Sequence, residues 1–461
     1  MSQTASPSSS PPTSKGTHWN TSNGFLFACI GAAVGLGNIW KFPSMAGEQG
    51  GGAFVLVYLA SIFVIAIPIA AAELAIGRRG QSDAVGSVVN VSHEAGYSAT
   101  QSRLFGWIGT IGMLGSLVLL TFYAVIAGWV SYYLFVSIGG GIVGLDAGSA
   151  KTLINDLLAD PTTMIFHQFL FLAIIGVILM RDLVSGLERA NIVMIPALII
   201  MLVALALYGA IAGDIGAALK FMFTPDVSKI TPEVIQKAVG HGFFSVGVGA
   251  AMLLTYGAYI DKSVNLGKAA ITIGLADTAI ALLAGIAIFS IVFAQEGLSP
   301  NAGPTLIFET LPTAFTQIPY GGALAVIFFV LVYFAALTSG LSLGEVVVRR
   351  IENALSLSRG MSVYLSLGVI FIIGLASVFS SNIWSHIEIG GRNLFDAKDY
   401  LVTAYLMPLG GLTIVTFAGW AIPSATLRTA LGSGNLLFTC WLWAARVLAP
   451  LGIIWMGIAN L

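Results

Sequence analysis

The apolar residues of this chain come in long unbroken runs, not in alternating or helically spaced positions. A run of about twenty apolar residues is long enough to cross a bilayer as a helix. Such runs lie near 24–49, 52–77, 104–138, 163–180, 190–213, 235–259, 268–294, 320–348, 361–380, 399–422 and 435–459. The pattern predicts an all-α membrane protein with about eleven transmembrane helices. The run at 320–348 exceeds what a bilayer needs, so it is expected to tilt or to project into water. Ahead of the runs, residues 1–18 are rich in Ser, Thr and Pro and are expected to be a disordered cytoplasmic tail, with no cleavable signal peptide.

Two of the runs carry the same flaw. Residues 31–42 read GAAVGLGNIWKF and residues 242–252 read GFFSVGVGAAM, with related cores AVGLGN at 33–38 and SVGVGA at 245–250. Each glycine inside a helix costs about 1 kcal/mol against alanine. Close helix packing is one use for such glycines. The spacing of the two segments favours another. If helices 1–5 (19–215) form one unit and helices 6–10 (216–425) a second, with helix 11 at 426–461, both flaws fall in the first helix of a unit. An odd number of helices per unit gives the units opposite topology, a 5+5 inverted repeat. Paired interruptions in inverted halves mark a transporter's binding site, so helices 1 and 6 are expected to be broken at mid-membrane.

Irregular backbone inside a bilayer survives only where it lines a cavity or is buried in protein. The N-terminal end of a half-helix offers N–H groups to a carboxylate, and the C-terminal end offers carbonyls to sodium or an ammonium group. Two facing breaks can therefore hold a zwitterion and cations with few charged side chains. Other polar residues suit such a site. Asn38 ends the first break and Ser245 opens the second. Asp277 lies within the seventh run, where a carboxylate is a functional candidate by default. In FAALTSGLSLGE, Ala335, Thr338, Ser339 and Ser342 share one helical face, an oxygen set that suits a hard cation, although Ser and Thr also bond back to their own helix.

Composition agrees. The chain has 461 residues, 57% hydrophobic and 9% charged, with a mean hydropathy of +0.92. A soluble domain carries about 25% charged residues. Net charge is −1, which offers nothing to nucleic acid. Cys29 and Cys440 are read as two separate buried thiols. With the N-terminus inside, twelve Lys and Arg fall on the cytoplasmic side (15, 78, 79, 103, 181, 189, 262, 268, 349, 350, 359 and 428) and seven outside (41, 151, 220, 229, 237, 392 and 398). That bias supports a multi-pass plasma (bacterial inner) membrane protein with a cytoplasmic N-terminus. Arg446, in the last run, fits no part of this scheme.

The segments GAAVGLGNIWKFP, GEQGGGAF and AELAIGRRG closely resemble the first two helices of the neurotransmitter:sodium symporter family. FFSVGVGA, GLADTAIALLAGIAIF and YFAALTSGLS are similar to its sixth, seventh and eighth helices, and the resemblance runs from Trp19 to about Trp420. It implies a leucine-transporter-like fold and a bacterial amino-acid transporter with two transported sodium ions and no organic cofactor. One sodium site would use Ala33, Asn38, Ser245, Asp277 and the substrate carboxylate. The other would use Gly31, Val34, Ala335, Thr338 and Ser339. The substrate carboxylate would meet the amides of Gly35–Gly37 and the hydroxyl of Tyr123, and its amine the carbonyls of Ala33, Phe244 and Ser245, with Phe244 as lid. Lys41 and Asp399 match the outer gate, where Arg is the usual cation; Trp19 and Tyr259 match the inner gate.

The chain departs from the family at three places. Ala281 stands where chloride-dependent members carry serine, and Asp277 stands for the usual asparagine, so chloride-independent transport is expected. The inner-gate arginine position is Gly16, beside Lys15, and its partner position is Asn353, beside Glu352. The family's twelfth helix has no counterpart. The positions around the substrate side chain would be Ala32, Leu36, Leu119, Phe244, Gly247, Ala250, Ser339, Ser342 and Leu343. All are small or apolar, and Gly35 replaces the aspartate of monoamine carriers. The expected cargo is a neutral, hydrophobic or aromatic L-amino acid, moved by alternating access. Glu73 and Glu345 are expected to brace the broken helices, and His241 to lie near the outer vestibule. The rival readings are a carrier of another small amine or osmolyte, or an amino-acid sensor that does not transport. The five histidines show no metal spacing and no nucleotide loop occurs, so an enzyme is not expected. No nucleic-acid partner is expected, and the pattern does not specify an oligomeric state.

Overall fold

The structure is a computed structural model and describes residues 19–181, 183–261, 263–295, 298–300, 303, 306–432 and 434–458. The tail at 1–18, with Lys15 and Gly16, and Lys262 lie outside the described residues. Among the described residues, nine helices are long and apolar enough to cross a membrane: Gly52–Gly80, Ala99–Ile138, Pro161–Leu179, Ser185–Ala212, Leu266–Phe293, Gly321–Leu355, Arg359–Phe379, Leu394–Ala421 and Asn435–Ile458. The pair Ser22–Ala33 and Gly37–Glu48, bent by 47°, forms a tenth span. Pro232–Val246 and Met252–Gly257, too short to cross separately, make up the remaining one, sixth in chain order. The eleven expected spans are thus accounted for, two of them in pieces.

Burial sorts the spans. The third and eighth, 40 and 35 residues long, are 72% and 78% buried in their most apolar windows, against 22% for the eleventh. The third opens on a capping box: Ser98 Oγ accepts from Gln101 N, and Gln101 Oε1 accepts from Ser98 N at 3.0 Å. The third and eighth spans pack on each other at the centre. The first half of the broken first span packs on the fifth and eighth spans, and the sixth packs on the second. Both breaks are thereby held inside protein, where irregular backbone is tolerated.

Segments between spans add helices that an apolar-run reading passes over, since they are short and amphipathic. They include Ala84–Glu94, Ala147–Ala159, Ile215–Phe223 and Ser424–Leu431, and a small antiparallel hairpin pairs Glu388–Ile389 with Arg392–Asn393. The expectation of two buried thiols is corrected. Cys29 is buried, whereas Cys440 is exposed, because the eleventh span covers the bundle with one face only.

Candidate cation and substrate site

The two glycine breaks share a sequence but not a conformation. In the first, helix ends at Ala33, Val34 is extended (φ −75°, ψ 106°), and helical geometry resumes at Leu36. Neither Gly35 nor Gly37 is left-handed, so glycine serves close approach there. A Cβ on Gly35 would collide with Ser339 Oγ and lie 3.1 Å from the Tyr123 hydroxyl; one on Gly37 would lie 3.2 Å from the Phe244 ring. In the second break Gly247 and Gly249 are left-handed (φ 72° and 82°), as is Ala251 (φ 58°). Only glycine adopts this region freely, and a Cβ on Gly249 would strike the carbonyl of Met407. Buried Glu73 holds the freed backbone, accepting from Gly249 N at 2.7 Å and Leu254 N at 3.3 Å. Ser116 Oγ donates to Ala250 O at 2.5 Å. Glu73 therefore braces a broken helix, as its sequence position suggested.

One oxygen cluster lies where the first, sixth and seventh spans meet. Asn38 Nδ2 donates to Asp277 Oδ1 at 2.7 Å, to Asp277 O at 3.0 Å and to Ser245 Oγ at 3.2 Å. Ser245 Oγ donates to Asp277 Oδ2 at 2.8 Å. Asn38 Oδ1 accepts from Gly35 N at 3.0 Å, which ties this cluster to the first break. Tyr58, which sequence reasoning missed, closes the cluster with its hydroxyl 3.1 Å from both Asp277 Oδ2 and Ser245 Oγ. Its only signal was a hydroxyl inside the apolar second run. Three acceptors thus converge on the Asn38 amide nitrogen, the donor pattern that a hard cation would otherwise meet.

A second cluster joins the first break to the eighth span. Ser339 Oγ lies 3.3 Å from each of the carbonyl oxygens of Gly31, Ala32 and Val34. Thr338 Oγ1 lies 3.3 Å from Val34 O and 3.0 Å from Ala335 O. The carbonyls exist to be met because unwinding at Val34 removes their helical partners. All five residues named for this cluster come together. Ser342 does not join them: its hydroxyl donates to Thr338 O at 3.0 Å and pairs with Tyr256 Oη at 2.7 Å.

Between the clusters stand Gly35, Tyr123 and Ser339, with Leu36 N donating to Tyr123 Oη at 3.4 Å. Leu119, Ala250 and Leu343 are buried on the third, sixth and eighth spans. Ala33 is the last residue of its half-helix. Gly247 is flanked by the thioether end of Met252, which occupies the space a side chain there would take and which sequence reasoning had not named. Above Phe244, Lys41 Nζ sits 4.3 Å from the ring centroid and 3.1 and 3.4 Å from the two oxygens of Asp399. Beyond this pair opens a cavity of about 570 Å³, lined among others by Phe122, Trp129, Phe395 and His241. His241 does line this vestibule, but buried against Phe42, Phe54 and Tyr58.

At the opposite end, Trp19 N donates to Tyr259 O and Trp19 Nε1 to Tyr256 O, both at 3.2 Å. Glu188 of the fifth span's first turn accepts from Asn20 N at 3.0 Å. Tyr259 Oη donates to Glu345 at 3.4 Å, and Arg359 forks onto both Glu345 oxygens at 3.1 and 2.5 Å. Glu345 therefore pairs chiefly with Arg359, and its longer bond from Tyr259 reaches the end of the broken sixth helix. Glu352 is taken by Arg349 at 3.0 Å, and Asn353 donates to Asp83 at 2.9 Å. Arg446 is also accounted for: its Nε donates to Gly419 O at 2.7 Å, tying the eleventh span to the end of the tenth.

Broken helices whose freed backbone faces buried oxygens, with paired closures at both ends of the bundle, define a membrane transporter of the inverted-repeat class. The family model for the "Sodium:neurotransmitter symporter family" matches residues 16–143 and 151–459, and the chain belongs to that family. It is 33% identical over 444 residues to an uncharacterized sodium-dependent transporter, YhdH, of Bacillus subtilis, covering 95% of this chain and 96% of that one. It is 30% identical over 450 residues to an uncharacterized sodium-dependent transporter of Haemophilus influenzae, covering 96% and 98%. The crystal structure of MhsT in complex with L-phenylalanine superposes with a TM-score of 0.89 at 36% identity, covering 96% of this chain and 99% of that one. The protein is thus a sodium-dependent, multi-pass membrane transporter and not an enzyme.

Proposed function

We propose that the chain imports a neutral, hydrophobic or aromatic L-amino acid together with two sodium ions, without need of chloride. The observation that carries the reading is the close approach at Gly35. Ser339 Oγ and Tyr123 Oη crowd the position a Cβ would take on Gly35, so the side-chain carboxylate of a monoamine carrier has no room there, and the cargo would bring its own. That carboxylate would meet the Gly35–Gly37 amides and Tyr123, and its amine the carbonyls of Ala33, Phe244 and Ser245. Leu119, Gly247, Ala250 and Leu343 offer no charge to a side chain, which favours an apolar one. The bound L-phenylalanine of the MhsT structure supports the same class.

One sodium ion would sit among Ala33, Asn38, Ser245 and Asp277, sharing the cargo's carboxylate. The second would sit among Gly31, Val34, Ala335, Thr338 and Ser339, tying the first helix to the eighth span. Asp277 supplies a fixed negative charge beside the first ion, the role chloride would otherwise fill. Lys41–Asp399 would then close the outer side and Trp19–Tyr259 the inner side, with the N-terminus cytoplasmic in a bacterial inner membrane. The repeat units are assigned to 19–215 and 216–425, with the remainder added at 426–461.

Reconstitution in liposomes tests this. Labelled hydrophobic amino acids are expected to accumulate under an inward sodium gradient, and equally in gluconate and in chloride. Binding without accumulation would make the chain a sensor. Accumulation of an osmolyte in preference to all amino acids would overturn the substrate class.

A further inference from the structure

Arg446 stands midway along the membrane-spanning helix Asn435–Ile458, yet it takes part in no ion pair among the described residues. Its Nε donates to Gly419 O at 2.7 Å and one terminal nitrogen reaches Ser424 Oγ at 3.4 Å. The guanidinium lies 5.0 Å from the Trp420 ring centroid. These partners orient the fork without neutralising it, and a guanidinium has five N–H donors to satisfy. An arginine within a span costs about 2.5–3.5 kcal/mol at the bilayer centre and less toward the interface, and in either place it is stabilised by an anionic partner. Beside it runs an outward-facing groove of about 710 Å³ between the third, tenth and eleventh spans. Tyr97, Phe105, Ile108, Leu412, Phe417 and Ile454 line it, and the exposed Trp420 flanks the arginine. Although Arg446 is central in its own helix, its partners Gly419 and Ser424 stand at and just past the end of the tenth span, which brings the guanidinium toward headgroup depth. Apolar walls, a cation without a counter-charge and a neighbouring Trp there are the pattern of a lipid phosphate site.

We propose that this groove binds one anionic phospholipid, its phosphate paired with Arg446 and an acyl chain laid along Phe105, Leu412 and Ile454. A zwitterionic lipid brings its own cation and offers the guanidinium less. The test is native mass spectrometry of the delipidated full chain, titrated with phosphatidylglycerol or with phosphatidylcholine. One phosphatidylglycerol is expected to be retained at about fivefold lower concentration than phosphatidylcholine, the effect of one arginine near a charged headgroup. Arg446→Gln should abolish that preference and Arg446→Lys restore most of it. Thr416→Trp, on an exposed groove position, should displace both lipids with the arginine intact. It decides the matter if Arg446→Gln does not fold, since that variant also loses the Gly419 bond. Equal retention of the two lipids by the unaltered chain overturns the proposal. So does a preference that survives Arg446→Gln or Thr416→Trp.

Discussion

Asp277 is the side chain on which the proposed ion coupling would most depend. It accepts from Asn38, Ser245 and Tyr58, all buried, so its charge is directed at one point. Asp277→Asn keeps the shape and removes the charge. Hydrogen bonds and contacts to a charged group are worth about 1.5–3 kcal/mol, so the sodium concentration for half-maximal uptake should rise by about ten- to a hundredfold. Uptake by this variant should also gain from chloride, which the parent should ignore. A chloride-insensitive variant would detach Asp277 from the charge argument. Gly35→Ala makes a steric test. Its methyl would drive into Ser339 Oγ and so disturb both the second oxygen cluster and the cargo's seat. A displacement of about 1 Å at such a site costs on the order of a hundredfold in rate. Sodium-driven uptake near the parent's rate would mean the cargo lies elsewhere.

At the scale of elements, the two breaks differ in how they depend on glycine. The second is a left-handed turn held by Glu73 and pressed on Met407, so Gly249 is constrained by both conformation and space. Gly249→Ala should destabilise the protein by about 1–3 kcal/mol. Thermal unfolding in detergent would register this as a lower midpoint. Gly360, in the first turn of the ninth span with nothing within 4 Å of its Cβ position, is the control. Gly360→Ala should leave the midpoint unchanged or slightly raised. Equal midpoints for the two variants would mean that the second break is not strained.

At the scale of the whole molecule, the two ends of the bundle are held by different chemistry, which the proposed gates would use. The pair Lys41–Asp399, the outer gate of the proposal, is partly exposed and backed by the Phe244 ring. Such a pair contributes about 1 kcal/mol or less and opens readily. The opposite end is held by Trp19, whose backbone N and indole N–H donate to the carbonyls of Tyr259 and Tyr256, and by Glu188, while Glu345 and Arg359 belong to the eighth and ninth spans. Among the described residues the start of the first helix is therefore clasped by a carboxylate rather than by an arginine bridge. Glu188→Gln should loosen that end by about tenfold, the worth of a charged hydrogen bond. Buried Cys29 on the first helix reports it: maleimide labelling in a Cys440→Ser background should accelerate by that factor. Glu188→Asp should recover part of the protection. An unchanged labelling rate would leave Glu188 with a purely structural role.

The sequence alone determined the class, the long apolar spans and the two helix interruptions, and it pointed to most, not all, of the side chains that meet in the two oxygen clusters. Unbroken apolar runs admit no other solution in a bilayer, and glycine pairs at mid-run weaken a helix wherever it folds. Local chemistry of that kind is written in neighbouring residues. What only the tertiary structure decided were contacts between residues far apart in the chain. Tyr58 meets Asp277 across 219 positions, and Glu188 meets Asn20 across 168. Ser342 pairs with Tyr256 across 86 positions, and Glu345 is held by the Arg359 fork. The repeated glycine motif likewise predicted two equal breaks, yet only the second is left-handed. Packing against Met407 and Glu73 sets that conformation, and neither residue lies near it in sequence. A hydroxyl or carboxylate in an apolar run announces that it needs a partner. Which partner it finds depends on how the helices cross.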